Sequence, residues 1–586
     1  MRARDRIVIV AGLLISVLML VLAGSQLDYI NSQRSEMNLI VKEPLENAPP
    51  SLAFATVAMG AFRGLVVDML WIRAEKLKDK GEYFDAKQIA EWITTLQPRF
   101  ADVWEFQGWN MAYNISSSMP LSQPQERWRW IKNGIELLRD RGIEANPKAI
   151  SLYRELARIF QHKIGFISDD AHKFYKLQLM EAMEPLVTPV TNEHFAKLAA
   201  ASKDWEQILG VEGMQKFVAA LKEADDSFAD DNKFVGNYLS LRQNASRFEP
   251  GALEVIDIYR GSEVLEKFDI FAKAYQLRHE WKLEPELMAE LNKEFGPKDF
   301  EDPNSRGPLD WRHPDSQAIY WAVMGLRVAG GDEYSASESH TDRIVLHSLQ
   351  NLYRYGKIFT YDLGDSEDPT RPEWLTRDIF LRTDLRMFDA YSKAAEATIE
   401  KYKDLKKGTY ESLLIGYRHF LENAVLNSYE TGHMGQAQRI YRKMRQMYPD
   451  KGFDVPLIAF LRDKMRREFD KITPTNAQET IIAKLRSSYF HYAMLEDDVA
   501  ASLEDMAEEI WDYYKGLYSD ENRIDLPTMS RLRYVAIIDF LRDLSYPLEM
   551  RQSLFARIRL DRPQLAEQLR AEQEKILSSQ QQSVTE

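Results

Sequence analysis

No cysteine occurs anywhere in the chain. Disulfides, thiol nucleophiles and cysteine-based zinc sites are therefore excluded together. Histidine is sparse, with ten in 586 residues. His340 and His347 lie seven apart, but no third ligand of the kind a zinc site requires accompanies them. There is no Walker-type Gly-rich phosphate loop, no Gly-x-Ser-x-Gly elbow and no His-Glu-x-x-His pair. Long basic runs are missing as well, and the formal net charge is -14. Phosphate binding needs clustered Lys and Arg, so nucleic acid is not an expected partner. Alternating runs of Val, Ile, Thr and aromatic residues, the mark of strands, are few. These absences leave no catalytic residue, no cofactor and no metal to expect.

What is present describes a helical protein. The apolar share of 45% and aromatic share of 11% are those of a folded chain, and 28% charged residues fit helical surfaces laced with ion pairs. Arg2, Arg4 and Arg6 precede an uncharged run from Ile7 to Gly24. A span needs roughly 17–25 apolar residues, and a cleaved signal peptide has an apolar region of only about 7–15. A retained transmembrane anchor over 7–25 is therefore expected, with Ala23-Gly24-Ser25 as the cleavage site on the rival reading. Arginines ahead of the helix favour a cytoplasmic N-terminus, residues 1–6. The rest would then lie outside the cytoplasm, in the periplasm of a diderm bacterium, held at the inner membrane by a single pass.

Residues 26–50 read as a polar linker ending in Asn47-Ala48-Pro49-Pro50, where the double proline stops any preceding helix. Leu52 to Phe62 is uncharged again, and Leu65 to Trp71 continues its apolar character. Arg63 and Asp68 interrupt it, at about 2.5–3.5 kcal/mol each on insertion scales. A first packed helix is expected here rather than a second span, with a helix at the membrane surface as the intermediate reading.

From residue 51 onward apolar residues recur at three and four. Helices are predicted over 174–186, 191–201, 205–209, 214–224, 285–295, 316–326 and 343–355, with Gly330 and Gly331 ending the sixth. More are predicted over 475–495, 497–518, 532–541 and 554–577. Residues 227–232 and 361–372 read as polar loops, and 578–586 as a tail. Asp362-Leu363-Gly364-Asp365-Ser366-Glu367-Asp368 lacks the EF-hand spacing and reads as a solvated acidic loop. Asn114-Ile115-Ser116 and Asn244-Ala245-Ser246 fit the glycosylation pattern, a weak signal by itself.

The most informative stretch is 70–108. Leu70, Ala74 and Leu77 line one helix face, and the small Ala74 lets a paired helix approach. Gly81 supplies the turn. Tyr83, Ala86, Ala90 and Ile93 form the inner stripe of the second helix, and Pro98 stops it. Trp104, Gly108 and Met111 open the next helix. After an insertion at 116–125 comes a helix over 128–139, ended by Asn146-Pro147. Tyr153, Leu156, Ala157 and Phe160 follow the same order. Leu421, Ala424 and Val425 lead to Gly432, Met434 and Ala437, completed by Tyr441, Met444 and Pro449. A unit of this kind cannot bury its apolar face alone and implies a stack of helix pairs.

The pattern resembles the tetratricopeptide repeat family, over about 66–165 and 418–450. It departs from it where the units are not tandem, and where Arg73 and Gln107 stand in place of the consensus Leu. The resemblance implies an all-α fold, an α-solenoid of antiparallel helix pairs, and protein or peptide binding in a concave groove. The expected layout is a block over 51–170, a helical middle region with long loops over 171–345, a second block over 346–470 and a C-terminal helical region over 471–577. Six tryptophans, with Phe100, Phe106 and Tyr113, crowd the first block. Core packing accounts for most of them. Trp109 is the expected exception, and Arg99, Tyr113, Arg127 and Arg129 join it as candidate partner-binding residues.

The function expected is a membrane-anchored scaffold binding one or more envelope proteins. One alternative is an extracytoplasmic enzyme acting on cell-wall glycan or peptide, which needs two facing carboxylates at a cleft. The other is a structural subunit of a stable membrane complex, which would expose large apolar patches.

Overall fold

The computed structural model describes residues 63–299, 302, 305–328, 336–362, 377–404, 407–431, 433–449, 452–469, 474–518, 526–543 and 546–585, with Ser16 and Met19 alone before them. Apart from those two, the expected anchor, the linker and the uncharged run 52–62 lie outside the described residues, as do Gly330, Gly331 and Gly432. No helix among the described residues is long and apolar enough to cross a membrane. The described chain is almost wholly helical, as the sequence predicts, and divides into two compact units. The first runs to Met119 and resumes over Gln125–Glu155, and the second holds Pro120–Pro124 and everything from Leu156.

The first unit opens with α1 (Arg63–Asp79) packed on α2 (Tyr83–Leu96). The turn between them follows from Gly81, whose φ of +80° is a left-handed conformation that costs glycine nothing. Val67, Ala74, Ile89, Ala90, Ile93 and Leu96 make the shared core. The Pro98 carbonyl accepts from Trp104 Nε1 (2.7 Å) and Asn146 Nδ2 (2.8 Å), which fixes the chain where α2 stops.

Helix α3 is Ala101–Trp109, continued by a π-helical segment Asn110–Ile115 and a last turn Ser116–Ser118. Helix α4 repeats the scheme, with Pro124–Glu136, a π segment Leu137–Gly142 and Ile143–Ala145. The two cross closely at glycines. A Cβ on Gly134 would sit 2.8 Å from the Gly108 carbonyl oxygen, and one on Gly108 would sit 2.5 Å from Leu138 Cγ. Helix α5 (Ile150–Arg158) begins in this unit, and its π segment Ile159–Ile164 belongs to the second.

In the second unit, α6 (His172–Val187), α7 (Asn192–Ala200), α8 (Trp205–Leu209), α9 (Met214–Ala224), α10 (Asp231–Gln243), α11 (Pro250–Ile258), α12 (Glu263–His279) and α13 (Pro285–Phe295) follow in order. Their core is aromatic. Phe217, Phe228, Phe234, Phe268 and Phe271 are fully buried, and Tyr238 meets Phe268 edge-on at 4.7 Å. Helices α14 (Pro314–Val328) and α15 (Ala336–Tyr355) then pack on each other.

A β-hairpin follows, β1 (Lys357–Asp362) antiparallel to β2 (Arg377–Arg382) with Thr360 opposite Ile379. This corrects the sequence reading, which placed a polar loop from Tyr361. Each strand is six residues long and bordered by charge, so its alternation is too short to stand out. Packing decides it, because Ile358, Ile379 and Leu381 cover Leu177 and Met180 of α6.

Helices α16 (Phe388–Tyr402), α17 (Lys407–Glu430), α18 (Met434–Met447), α19 (Leu457–Phe469), α20 (Pro474–Ala493), α21 (Asp497–Tyr518) and α22 (Met529–Arg542) continue, with α17 on α18 and α20 on α21 as the closest pairs. The last predicted helix proves to be two, α23 (Leu548–Asp561) and α24 (Pro563–Thr585). Pro563 has no N–H to continue α23 but suits the first turn of α24.

Candidate functional site

Helices α6, α7, α8, α10 and α12 enclose a cleft of about 1250 Å³ in the second unit. Caps fix where its helices begin. The Thr191 side chain accepts from His194 N (3.2 Å), Asp204 from Gln207 N (2.8 Å) and Ser262 from Leu265 N (3.2 Å). Each satisfies an N-terminal amide that the helix leaves unpaired. The floor is apolar, with Ile208, Val211, Leu239 and Ile270. Of these, Ile208 and Leu239 are buried.

The rim is charged and paired. Glu193 binds Lys197 (2.9 Å) along α7, Glu263 binds Lys267 (2.8 Å) along α12, and Glu184 binds Arg312 (3.0 Å). The first two are i,i+4 pairs with the acid on the N-terminal side, the favourable order on a helix. Deeper in, Asp269 accepts from Tyr238 Oη (2.6 Å) and from Arg242 (3.2 Å). Burial, and then the Asp269 charge, push the Tyr238 hydroxyl up, so it stays a donor. Lys273 donates to the Thr188 carbonyl oxygen (2.9 Å). Burial draws its ammonium down, against the Asp269 carboxylate. His194 is buried, with Nε2 3.3 Å from the Leu186 carbonyl oxygen, and burial holds its imidazole below the ordinary value.

A buried polar cluster lies elsewhere in the same unit. Lys163 and Asp169 form an ion pair of 2.7 Å with both side chains under 5% exposed. Lys176 donates to the Phe166 carbonyl oxygen (3.1 Å) and lies 2.9 Å from His172 Nδ1. Asp315 accepts from Asn351 Nδ2 (3.1 Å), and His313 Nδ1 accepts from Asp315 N (3.1 Å). Gln161 joins α5 to α15 through Ile344 O (2.9 Å) and Ser348 Oγ (2.7 Å). Burial pushes Asp315 up to about 7, draws Lys176 down to about 8, and holds His172 and His313 at about 4. The groups satisfy one another across four helices, as a clamp on the fold requires.

The residues singled out from sequence lie in the first unit, and none lines the cleft. Trp109 and Tyr113 come together, one turn apart on α3, stacked at 6.2 Å with Lys78 over the Trp109 ring. Arg127 turns inward and donates to the Met119 carbonyl oxygen (2.9 Å). Arg129 is exposed and pairs with Glu126 (3.1 Å), and Arg99 is exposed on the turn before α3. His340 and His347 are both exposed, and the described residues hold no group of three or more His, Asp and Glu arranged for a metal ion. Asn114 of the first glycosylation pattern is half-buried and donates to Asn110 Oδ1 (2.9 Å). Sequence reading missed the cleft because its lining comes from three separated stretches. The i,i+4 pairs Glu193/Lys197 and Glu263/Lys267 were its only local signal. No protein-family model and no curated protein sequence matches the chain.

Proposed function

We propose that the chain is a membrane-anchored scaffold of the bacterial cell envelope, built as a degenerate TPR-like solenoid, and that the second-unit cleft receives a segment of a partner protein. The observation that carries this reading is the make-up of the cleft, an open concavity with an apolar floor and a rim of exposed, paired charges. Apolar floors supply affinity and polar rims orient the ligand. Exposed ion pairs hold only about 0.2–1 kcal/mol each, so a partner's charges exchange with them at little cost. The pairing also speaks for binding rather than glycan hydrolysis. A hydrolase needs one protonated and one free carboxylate facing each other, whereas Glu184, Glu193, Glu263 and Asp269 are each tied to a cation or a hydroxyl, which leaves Glu266 as the one other carboxylate of the lining. The helix–turn–helix of α1 and α2 and the α17–α18 pair support the repeat reading. The uncharged run 7–24 behind three arginines supports the anchor and the outward placement.

The test is affinity purification of the full chain from solubilised membranes, with mass spectrometry, beside Ile270→Asp and Arg242→Glu variants. Partners recovered with the native chain and lost with Ile270→Asp support the reading. Recovery of no partner, or of the same partners from all three, rejects it.

A further inference from the structure

Helix α1 is apolar on two sides. One side, with Val67 and Ala74 fully buried, packs against α2. The other carries Leu65, Met69 and Ile72, which are 61%, 66% and 54% exposed. Their spacing of four and three places them in a single stripe. No described residue covers this second stripe, which leaves it open on the surface. Arg73 and Asp68 flank it, and Lys76 continues it one turn on, all exposed.

We infer that this stripe lies on the lipid surface, seating α1 on the bilayer by Leu65, Met69 and Ile72. The inference rests on the anchored reading above, and three observations favour lipid as the occupant. In sequence the stripe directly follows the uncharged run Leu52–Phe62, and only residues 25–62 separate α1 from the anchor run. That tether keeps the helix at high effective concentration beside the membrane, so a weak contact suffices. The stripe is also too small for a protein. Three side chains fall far short of the roughly 1,000 Å² that a specific protein interface clears, whereas an interfacial helix needs only a few residues among the acyl chains. Finally, Arg73 and Lys76 stand where anionic headgroups would lie, with stems long enough to reach them.

The absence of cysteine makes the test direct. Met69→Cys and Ile72→Cys in the full chain are labelled with an environment-sensitive fluorophore, beside Gln88→Cys on the exposed side of α2 as reference. Each protein is reconstituted into vesicles of phosphatidylcholine and phosphatidylglycerol, with and without acyl-brominated lipid, and floated. The expected result is several-fold weaker iodide quenching at 69 and 72 than at 88, with bromolipid quenching confined to 69 and 72. Floating vesicles whose labels are all equally open to iodide overturn the inference and leave the anchor standing. Labels shielded from iodide but untouched by bromolipid overturn it in favour of a second copy of the chain. Failure to float overturns the anchor itself and the inference with it.

Discussion

The buried cluster of the second unit sets how single residues respond to pH. His172 and His313 are held at about 4, so both stay neutral in the fold while the unfolded chain binds protons below about 6.5. Stability from them is whole above 6.5 and is lost as pH falls towards 4. Asp315 acts the other way. Its carboxyl keeps a proton up to about 7, against 3.8 in the unfolded chain. Its contribution is whole below 3.8 and is lost as pH rises through about 7, so between 7 and 4 it opposes the histidines. His313→Gln is expected to flatten the acid loss of stability by up to about 1.4 kcal/mol per pH unit, and Asp315→Asn to steepen it. Denaturant midpoints measured between pH 4 and 7 check this, and parallel curves for all three proteins would refute it. The Lys163–Asp169 pair gives a second expectation at this scale. Asp169→Ala leaves a buried ammonium without its carboxylate and should cost about 3–5 kcal/mol, while Lys163→Met with Asp169→Leu recovers a large part. A double variant no more stable than the single one would count against an ion-pair origin.

Among the elements, glycines decide how closely the first helices meet. At Gly134 an added methyl meets the Gly108 carbonyl oxygen at 2.8 Å, and at Gly108 it meets Cγ and both Cδ atoms of the fully buried Leu138, the nearest at 2.5 Å. Gly134→Ala and Gly108→Ala are therefore each expected to destabilise by about 1–3 kcal/mol, as thermal unfolding would show. Unfolding unchanged by either substitution would mean that the α3–α4 crossing is looser than these distances require. Gly81, Ala74 and Pro98 were legible because a turn, a small residue on a stripe and a helix stop act over a few residues. Gly134 was not, because only the approach of another helix gives it meaning. The same limit explains the hairpin, whose strands are fixed by Leu177 and Met180 far upstream. Pro563 is the opposite case, a local signal of a helix start that a continuous apolar pattern on both sides obscured.

Over the whole molecule, the all-helical class was legible from periodicity, whereas the cleft was not, since residues 184–211, 239–243 and 263–273 converge only on folding. The aromatic crowding of the first block pointed instead to α3, where Trp109 and Tyr113 do meet. Two surfaces thus carry the proposed work, an apolar-floored cleft for protein and an apolar stripe for lipid, and they should separate under mutation. Ile270→Asp puts an unpaired charge on the cleft floor and is expected to weaken partner binding about tenfold or more, as at an interface anchor. Arg242→Glu breaks one exposed pair and should weaken it only about two- to fivefold, an effect that high salt erases. Neither variant should change bromolipid quenching of a label at residue 69. Conversely, Met69→Ser with Ile72→Ser should abolish lipid contact and leave partner affinity in detergent unchanged, because none of the cleft's lining residues is touched. Titration of a purified partner against each variant in detergent measures the affinities, and bromolipid quenching on vesicles measures lipid contact, read at residue 69 in the cleft variants and at residue 65 in the stripe variant. A stripe variant that loses partner affinity in detergent would show that α1 binds protein, and would move the recognition surface to the first unit.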